Sequence, residues 1–265
     1  MILFIQNNNL YGETLMNKYT KNINRIEFVI TNSCTGKCKH CSQGEHVSNE
    51  HIDTKLAVQA VHDICNDYKI DSLMTFGGEP LLYPETVFEI HSAAKECGIK
   101  YRELITNGYF SKKIERIQQV SEMLAKSGTN IIKLSVDSFH QETIPLEIVM
   151  EFAKEILKTG VSIQTHPAWL ISPNDNNRFN EETKKILTEF NKIGIDQSDG
   201  NIIFASGNAL KYFGEYFIDN KEIKNPYLEN KKDIKTISFS ANGNVLNGNI
   251  YKNTITDIIN NYEPK

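Results

Sequence analysis

Apolar and polar positions along this chain alternate between short strand-like runs and longer helical stretches. Strand patterns fall at 26–30, 72–76, 100–106, 131–136, 161–164 and 201–204, and helical periodicity at 53–67, 84–97, 111–126, 145–158 and 181–192. Punctuation agrees with this division. Asp53 or Thr54 supplies a helix cap, Pro84 and Pro145 sit just inside helix starts, and Gly98 and Gly160 follow helix ends. Six strand-then-helix repeats over about 180 residues predict an α/β fold with a parallel sheet. Eight repeats would close a TIM barrel; six predict an open, partial (β/α)6 TIM barrel, whose active site belongs at the C-terminal ends of the strands. The tail departs from this pattern: 237–246 reads as a hairpin on the Asn242-Gly243 turn, and 254–261 as a short helix. The expected division is an N-terminal lead-in over 1–24, the barrel over 25–210, and a C-terminal β-hairpin and helix appendage over 211–265.

Composition narrows the function classes. The 265 residues are 40% hydrophobic and 23% charged, which fits a folded chain with a substantial core. A net charge of −4 provides no global basic field, so duplex binding driven by phosphate attraction is disfavoured and no nucleic-acid partner is expected. No apolar run reaches 18 residues and the first residues lack a basic n-region, so no membrane association and a cytoplasmic location are expected. In that compartment five cysteines do not make a disulfide framework.

Three of the five, Cys34, Cys38 and Cys41, crowd into one segment directly after the first strand. Three thiolates are an odd number for a closed structural zinc site, whose fourth ligand would be His40, His46 or a remote residue. A redox pair of Cys38 and Cys41 would leave Cys34 unexplained. An iron–sulfur cube on three cysteines leaves one iron open to a ligand, which suits catalysis.

Other candidate groups also fall at strand ends. Gly77-Gly78-Glu79-Pro80 follows the second strand and reads as a backbone nest that a ligand can approach closely. Thr106-Asn107-Gly108 ends the third strand. Ser135 and Asp137 share a face at the end of the fourth by the two-residue period, with a helix N-cap as the alternative role for Asp137. His140 follows as a candidate proton shuttle, and His166 and Trp169 follow the fifth strand, Trp169 reading as a packing residue. Cys65 and Cys97, on the first two helices, read as buried and inert.

The Cys-x3-Cys-x2-Cys loop, Gly77 to Pro80, Asn107, Ser135 and Asp137 together resemble the radical S-adenosylmethionine (radical SAM) superfamily over about 25–210. The resemblance implies one [4Fe–4S] cluster on Cys34, Cys38 and Cys41, with SAM chelated at the open iron. It also implies one-electron cleavage of SAM to a 5′-deoxyadenosyl radical that takes a hydrogen atom from the substrate. Gly77, Gly78, Glu79 and Pro80 would serve the amino group of SAM, Ser135 and Asp137 its ribose and carboxylate, and Asn107 would lie beside it. His40 stands where the family usually places an aromatic residue with backbone near the adenine. Low cluster potentials disfavour nearby charge-stabilising donors, so Lys37 and Lys39 are expected to face solvent.

Gly207-Asn208-Ala209 and the 238–249 segment are similar to the start of a SPASM or twitch extension. Asn208 replaces the usual Arg, and Asn247 stands in place of an auxiliary-cluster cysteine. No cysteine follows Cys97, so a second all-cysteine cluster is not expected. The likeness points to peptide modification, with a ribosomally made precursor as the implied substrate. A small molecule such as a nucleoside or sugar is the alternative substrate, and an electron-transfer or regulatory protein the non-enzymatic one. A reductant such as flavodoxin or ferredoxin is the implied partner.

Overall fold

The computed structural model describes residues 16–45, 48–218 and 223–265. Its frame is a run of parallel strands, β1 (Arg25–Val29), β2 (Ser72–Phe76), β3 (Tyr101–Thr106), β4 (Ile131–Leu134) and β5 (Ser162–Thr165), each hydrogen-bonded to the next in order. Helices α1 (Thr54–Asp67), α2 (Pro84–Glu96), α3 (Ile114–Ser127) and, beyond the short α4 (Ser138–Gln141), α5 (Leu146–Thr159) form the crossovers. Strand alternation sorts the side chains. Ile26 and Phe28 of β1 are fully buried, whereas Arg25, Glu27 and Val29 turn to the cavity inside the curved sheet. The core therefore lies between the outer sheet face and the helices, with Leu73, Leu104, Ile132 and Phe152 at zero exposure.

The fifth and sixth repeats depart from a uniform barrel. After β5 the chain breaks at His166-Pro167 and resumes as β6 (Ala168–Trp169). The expected sixth strand is only β7 (Asn201–Ile202), which pairs with β6 in a separate two-stranded sheet. A single parallel bridge, Thr165 to Gln197, continues the curvature between them. Proline lacks an N–H for the ladder, which accounts for the interruption at Pro167. Helix α6 (Arg178–Asn191) is capped by Asn177, whose side chain accepts from the amides of Phe179 and Asn180. The sequence pattern did not indicate α7 (Gly207–Ile218), which buries Ala209, Phe213 and Phe217 in a second small core with Phe139. The sheet stays open, as six repeats require.

The tail contains the expected turn but is more than a hairpin. β8 (Thr236–Phe239) runs parallel to β1 as the next strand of the main sheet, with Phe28 opposite Phe239 and their rings stacked at 4.5 Å. β9 (Asn244–Val245) and β10 (Gly248–Asn249) then add antiparallel, and α8 (Ile255–Asn260) packs back toward α1. Ile237, Phe239, Val245 and Ile259 are buried in the same core as the barrel strands. No helix among the described residues is long and apolar enough to cross a membrane.

Candidate active site

The cysteine loop leaves β1 and is held from two sides. On one side Gly77 and Gly78, at the end of β2, press against it: Gly78 donates its amide to the Thr31 carbonyl at 2.8 Å, and Glu79 donates to that of Ser33 at 2.8 Å. A β-carbon on Gly78 would lie 2.0 Å from the Ser33 oxygen, and one on Gly77 would lie 2.7 Å from the Thr31 oxygen, so only glycine fits this approach. On the other side the start of α7 clamps the loop. Asn208 donates its backbone amide to the Cys41 carbonyl at 2.9 Å and its side-chain amide to the carbonyls of Cys38 and Gly44, each at 3.3 Å. Gly207 at φ +52° comes so close that a β-carbon would sit 2.5 Å from the Ser42 oxygen. Asn208, where the resemblance expects Arg, thus gives the loop neutral hydrogen bonds in place of a charge.

Cys34, Cys38 and Cys41 line one cavity of about 1010 Å³, open at the C-terminal ends of the strands. Burial, with Glu79 and Cys41 nearby, pushes the Cys34 thiol up to about 12, and burial near Asp137 pushes Cys38 up as well. Cys41 is also raised by burial. Donors reach all three sulfurs: the Gly36 amide at 3.3 Å and the Asn107 side chain at 3.6 Å serve Cys34, the Thr143 hydroxyl serves Cys38, and the Gln43 and Gly44 amides serve Cys41. Lys37 and Lys39 are exposed, and Lys39 pairs with Glu142 at 3.0 Å, as expected from the need for a low potential. His46 lies outside the described residues.

The other expected site residues separate into those facing the cavity and those behind it. Gly77, Gly78, Asn107, Ser135, His40 and His140 line it. Pro80 is buried in a short 3-10 turn, and Glu79 is fully buried behind the loop. The Glu79 carboxylate accepts from the Leu81 amide at 2.9 Å, the Thr106 hydroxyl at 2.7 Å and the Asn107 amide at 2.8 Å. Burial nonetheless pushes its carboxyl up to about 7.

Asp137 also departs from the expectation of a direct SAM contact: its exposure is zero and it is the N-cap of α4. One carboxylate oxygen accepts from the amides of Phe139 and His140, the other from the Ala168 amide at 2.9 Å and from His140 Nδ1 at 2.8 Å. Burial alone would raise its carboxyl, but the His140 charge and hydrogen bond and the Ala168 amide hold it well below the usual range. Asp137→Asn should cost about 3 kcal/mol, since Ala168 and His140 lose a charged acceptor in a dry site. Denaturant unfolding of the chain measures this. The wild-type advantage should be present above the ordinary carboxylate range and be lost as pH falls from that range to the lowered value of the folded carboxyl.

His40 packs against Phe139 and His140, with ring centroids 5.1 and 4.6 Å away. Burial next to His140 lowers its pKa to about 3, so the ring is neutral. Further along the wall, His166 bonds Ser198 at 2.7 Å and Asn201 at 2.9 Å, and burial near Lys133 lowers it to about 4. Trp169 is buried and donates to the Asp199 carbonyl, a packing residue as expected. Arg25 faces the cavity but is tied to Glu27 at 2.7 Å and Glu103 at 3.3 Å. Cys65 and Cys97, expected to be buried and inert, are half-buried and interact with each other.

This arrangement fits a three-cysteine cluster: three sulfurs on one clamped loop that open onto one cavity, and room beside them for a ligand. Several known proteins are similar to this chain. A "GTP 3',8-cyclase" of Alkaliphilus oremlandii is 25% identical over 77% of this chain and 64% of its own length. The enzyme of the same name from Desulforamulus reducens is 26% identical over 49% of the chain and 39% of its length. The chain thus spans less than two thirds of these relatives. Among solved structures, Streptococcus suis SuiB bound to S-adenosylmethionine aligns with a TM-score of 0.59 at 14% identity, covering 90% of this chain and 65% of that one. The enzyme anSMEcpe with bound AdoMet aligns at 0.57 and 14% identity, covering 89% and 77%. At such identities these structures show the common fold. The family model for the radical SAM superfamily, whose members use a [4Fe–4S] cluster on three cysteines together with S-adenosylmethionine, matches residues 28–166. That match covers just over half of the chain and contains the whole cysteine loop, so the chain belongs to the radical SAM superfamily and is an enzyme of that group.

Proposed function

We propose that Cys34, Cys38 and Cys41 hold the [4Fe–4S] cluster and that the chain uses SAM to abstract a hydrogen atom from a peptide substrate. The observation that carries this reading is that the three thiols open onto the same large cavity as Gly77, Gly78, Asn107 and Ser135. When bound, the cluster and SAM supply a one-electron cleavage that yields a 5′-deoxyadenosyl radical. The chain's own residues bind and orient. The amide of Gly78 is already committed to Thr31, so it is the carbonyl edge of the Gly77-Gly78 turn that suits the ammonium group of SAM. Glu79 and Asp137 act from behind, the first fixing Thr106 and Asn107, the second fixing His140. With His140 Nδ1 directed to Asp137, a proton moved at this histidine is carried on Nε2.

Peptide is favoured over a compact polar substrate by the cavity rim. Ile202, Tyr227 and Leu228 line the cavity and are exposed, offering apolar contacts that suit a peptide side chain. The second reading, a small molecule, is favoured by the names of the relatives. A triphosphate, however, would find Arg25 already neutralised by Glu27 and Glu103.

The test is incubation of the cluster-loaded enzyme with SAM and reduced flavodoxin or ferredoxin. Short peptides encoded beside its gene are supplied in one arm and GTP in the other, with products read by mass spectrometry. A mass change in a peptide supports the proposal. Consumption of GTP with every peptide unchanged would replace it by the small-molecule reading.

A further inference from the structure

We propose that a peptide substrate binds as an extended strand along the free edge of β7, paired with the backbone of Ile202; this rests on the peptide reading above. The cavity meets the strands in two ways. It borders β1 and β8 by their faces, since alternate residues line it: Arg25, Glu27 and Val29 on the first, Thr236 and Ser238 on the second. The run 201–204, by contrast, lines it without a gap. A strand does that only where its edge, rather than one face, borders the space. Residues 225–229 also line the cavity without a gap, and the ring of Tyr227 lies 6.1 Å from that of Phe204. The cavity is thus bordered by the edge of β7 and by this segment.

The hydrogen-bond ladder leaves that edge open. Asn201 donates its amide to the Pro167 carbonyl at 2.8 Å and Ile203 to that of Trp169 at 2.9 Å, so pairing with β6 uses the residues on either side of Ile202. The N–H and C=O of Ile202 therefore point away from β6, and among the described residues no further strand joins that edge. Outward groups of β8 are already served: Thr236 donates its amide to Glu229 at 2.9 Å, and Ser240 to the Asn244 carbonyl at 2.8 Å. Exposed edges are ordinarily guarded by charged side chains or proline, and the run 201–204, Asn-Ile-Ile-Phe, carries neither. An unpaired donor and acceptor beside an apolar rim suit a chain that brings its own peptide groups. Side chains of the added strand alternate, one set turned into the barrel and the other outward over Tyr227 and Leu228.

The test measures binding to the cluster-loaded full chain with SAM present, by fluorescence anisotropy of fluorescein-labelled synthetic copies of the short peptides encoded beside its gene. In the tightest binder each backbone amide is replaced in turn by an ester, which removes one N–H and keeps every side chain. The expected result is one position, the donor to the Ile202 carbonyl, at which the ester weakens binding about fivefold, with the esters on either side neutral. Ile202→Pro deletes the outward N–H and spares the ladder to β6, so it should weaken the unmodified peptide to a similar degree, whereas Ile202→Val should not. The ester series leaves the protein unchanged and so decides even where Ile202→Pro fails to load its cluster. A peptide that binds yet tolerates every ester would overturn the strand pairing and leave the peptide reading standing. No binding by any peptide would remove that reading and this proposal with it. A concentration-dependent dimer of the peptide-free chain, dispersed by Ile202→Pro, would also overturn it, because the edge would then serve a second copy.

Discussion

Cys38→Ala should abolish both iron retention and 5′-deoxyadenosine formation while leaving the chain folded. Of the three loop cysteines Cys38 is the most buried, at 7% exposure, and it lines the cavity. A cube with two cysteine ligands lacks a third anchor, and the usual requirement of thiolate ligation is not met by any neighbouring side chain that could substitute. Folding should survive because the loop is fixed through its backbone. Asn208 holds the carbonyls of Cys38, Cys41 and Gly44, and the Thr31 and Ser33 carbonyls take the amides of Gly78 and Glu79. Iron analysis, the charge-transfer absorption of the reconstituted protein and chromatographic detection of the nucleoside check the three parts separately. Lys37→Ala, a change on an exposed loop side chain, should leave iron content unaltered.

Gly78→Ala should cost roughly 3 kcal/mol or more in stability, the upper end of what an overpacked site exacts. The atoms in the way are backbone: the added carbon would sit 2.0 Å from the Ser33 oxygen and 2.5 Å from its carbonyl carbon. Neither can rotate aside, so β2 or the cysteine loop must shift, and cluster loading should fall together with stability. Gly160→Ala is the comparison. Gly160, unlike Gly78, has a positive φ, +79°, but an added β-carbon there meets nothing within 4 Å. Its cost is the left-handed backbone alone, about 1 kcal/mol. Denaturant midpoints of the two variants against wild type measure the difference, and equal losses would show that the close approach at Gly78 is not what matters.

These two glycines show where sequence reading reached and where it stopped. Periodicity located β1 to β5 and their helices because those strands bury one face against amphipathic helices, and a two-residue or 3.6-residue pattern records that directly. β7 was legible as a strand but not its partner. Only two residues pair, and they pair with β6, a segment beyond Pro167 too short to leave a pattern. α7 was missed because its apolar residues, Ala209, Phe213 and Phe217, serve a small separate core and Gly214 interrupts the helical run. β8 was read within a hairpin, since nothing local indicates that Phe239 stacks on Phe28 across the sheet.

At the site, the residue types were legible and their directions were not. Gly77 and Gly78 were taken as a nest for a ligand, and they do face the cavity, yet the Gly78 amide serves the cysteine loop. Strand alternation placed Asp137 beside Ser135, but β4 ends at Leu134 and the chain turns into α4, so Asp137 becomes its cap. Asn208 gave a signal, the Gly-Asn-Ala segment, and the absent Arg drew attention away from what Asn itself does. An amide that spans two carbonyls of one loop is visible only when the loop is folded beneath it.

The measurement that tests the central claim most directly is 5′-deoxyadenosine formation by anaerobically reconstituted, dithionite-reduced wild-type protein supplied with SAM, with iron counted on the same sample. The account predicts about four irons per chain and nucleoside that depends on both SAM and reductant. Zinc in place of iron on the loop of Cys34, Cys38 and Cys41, with no nucleoside formed, would contradict it.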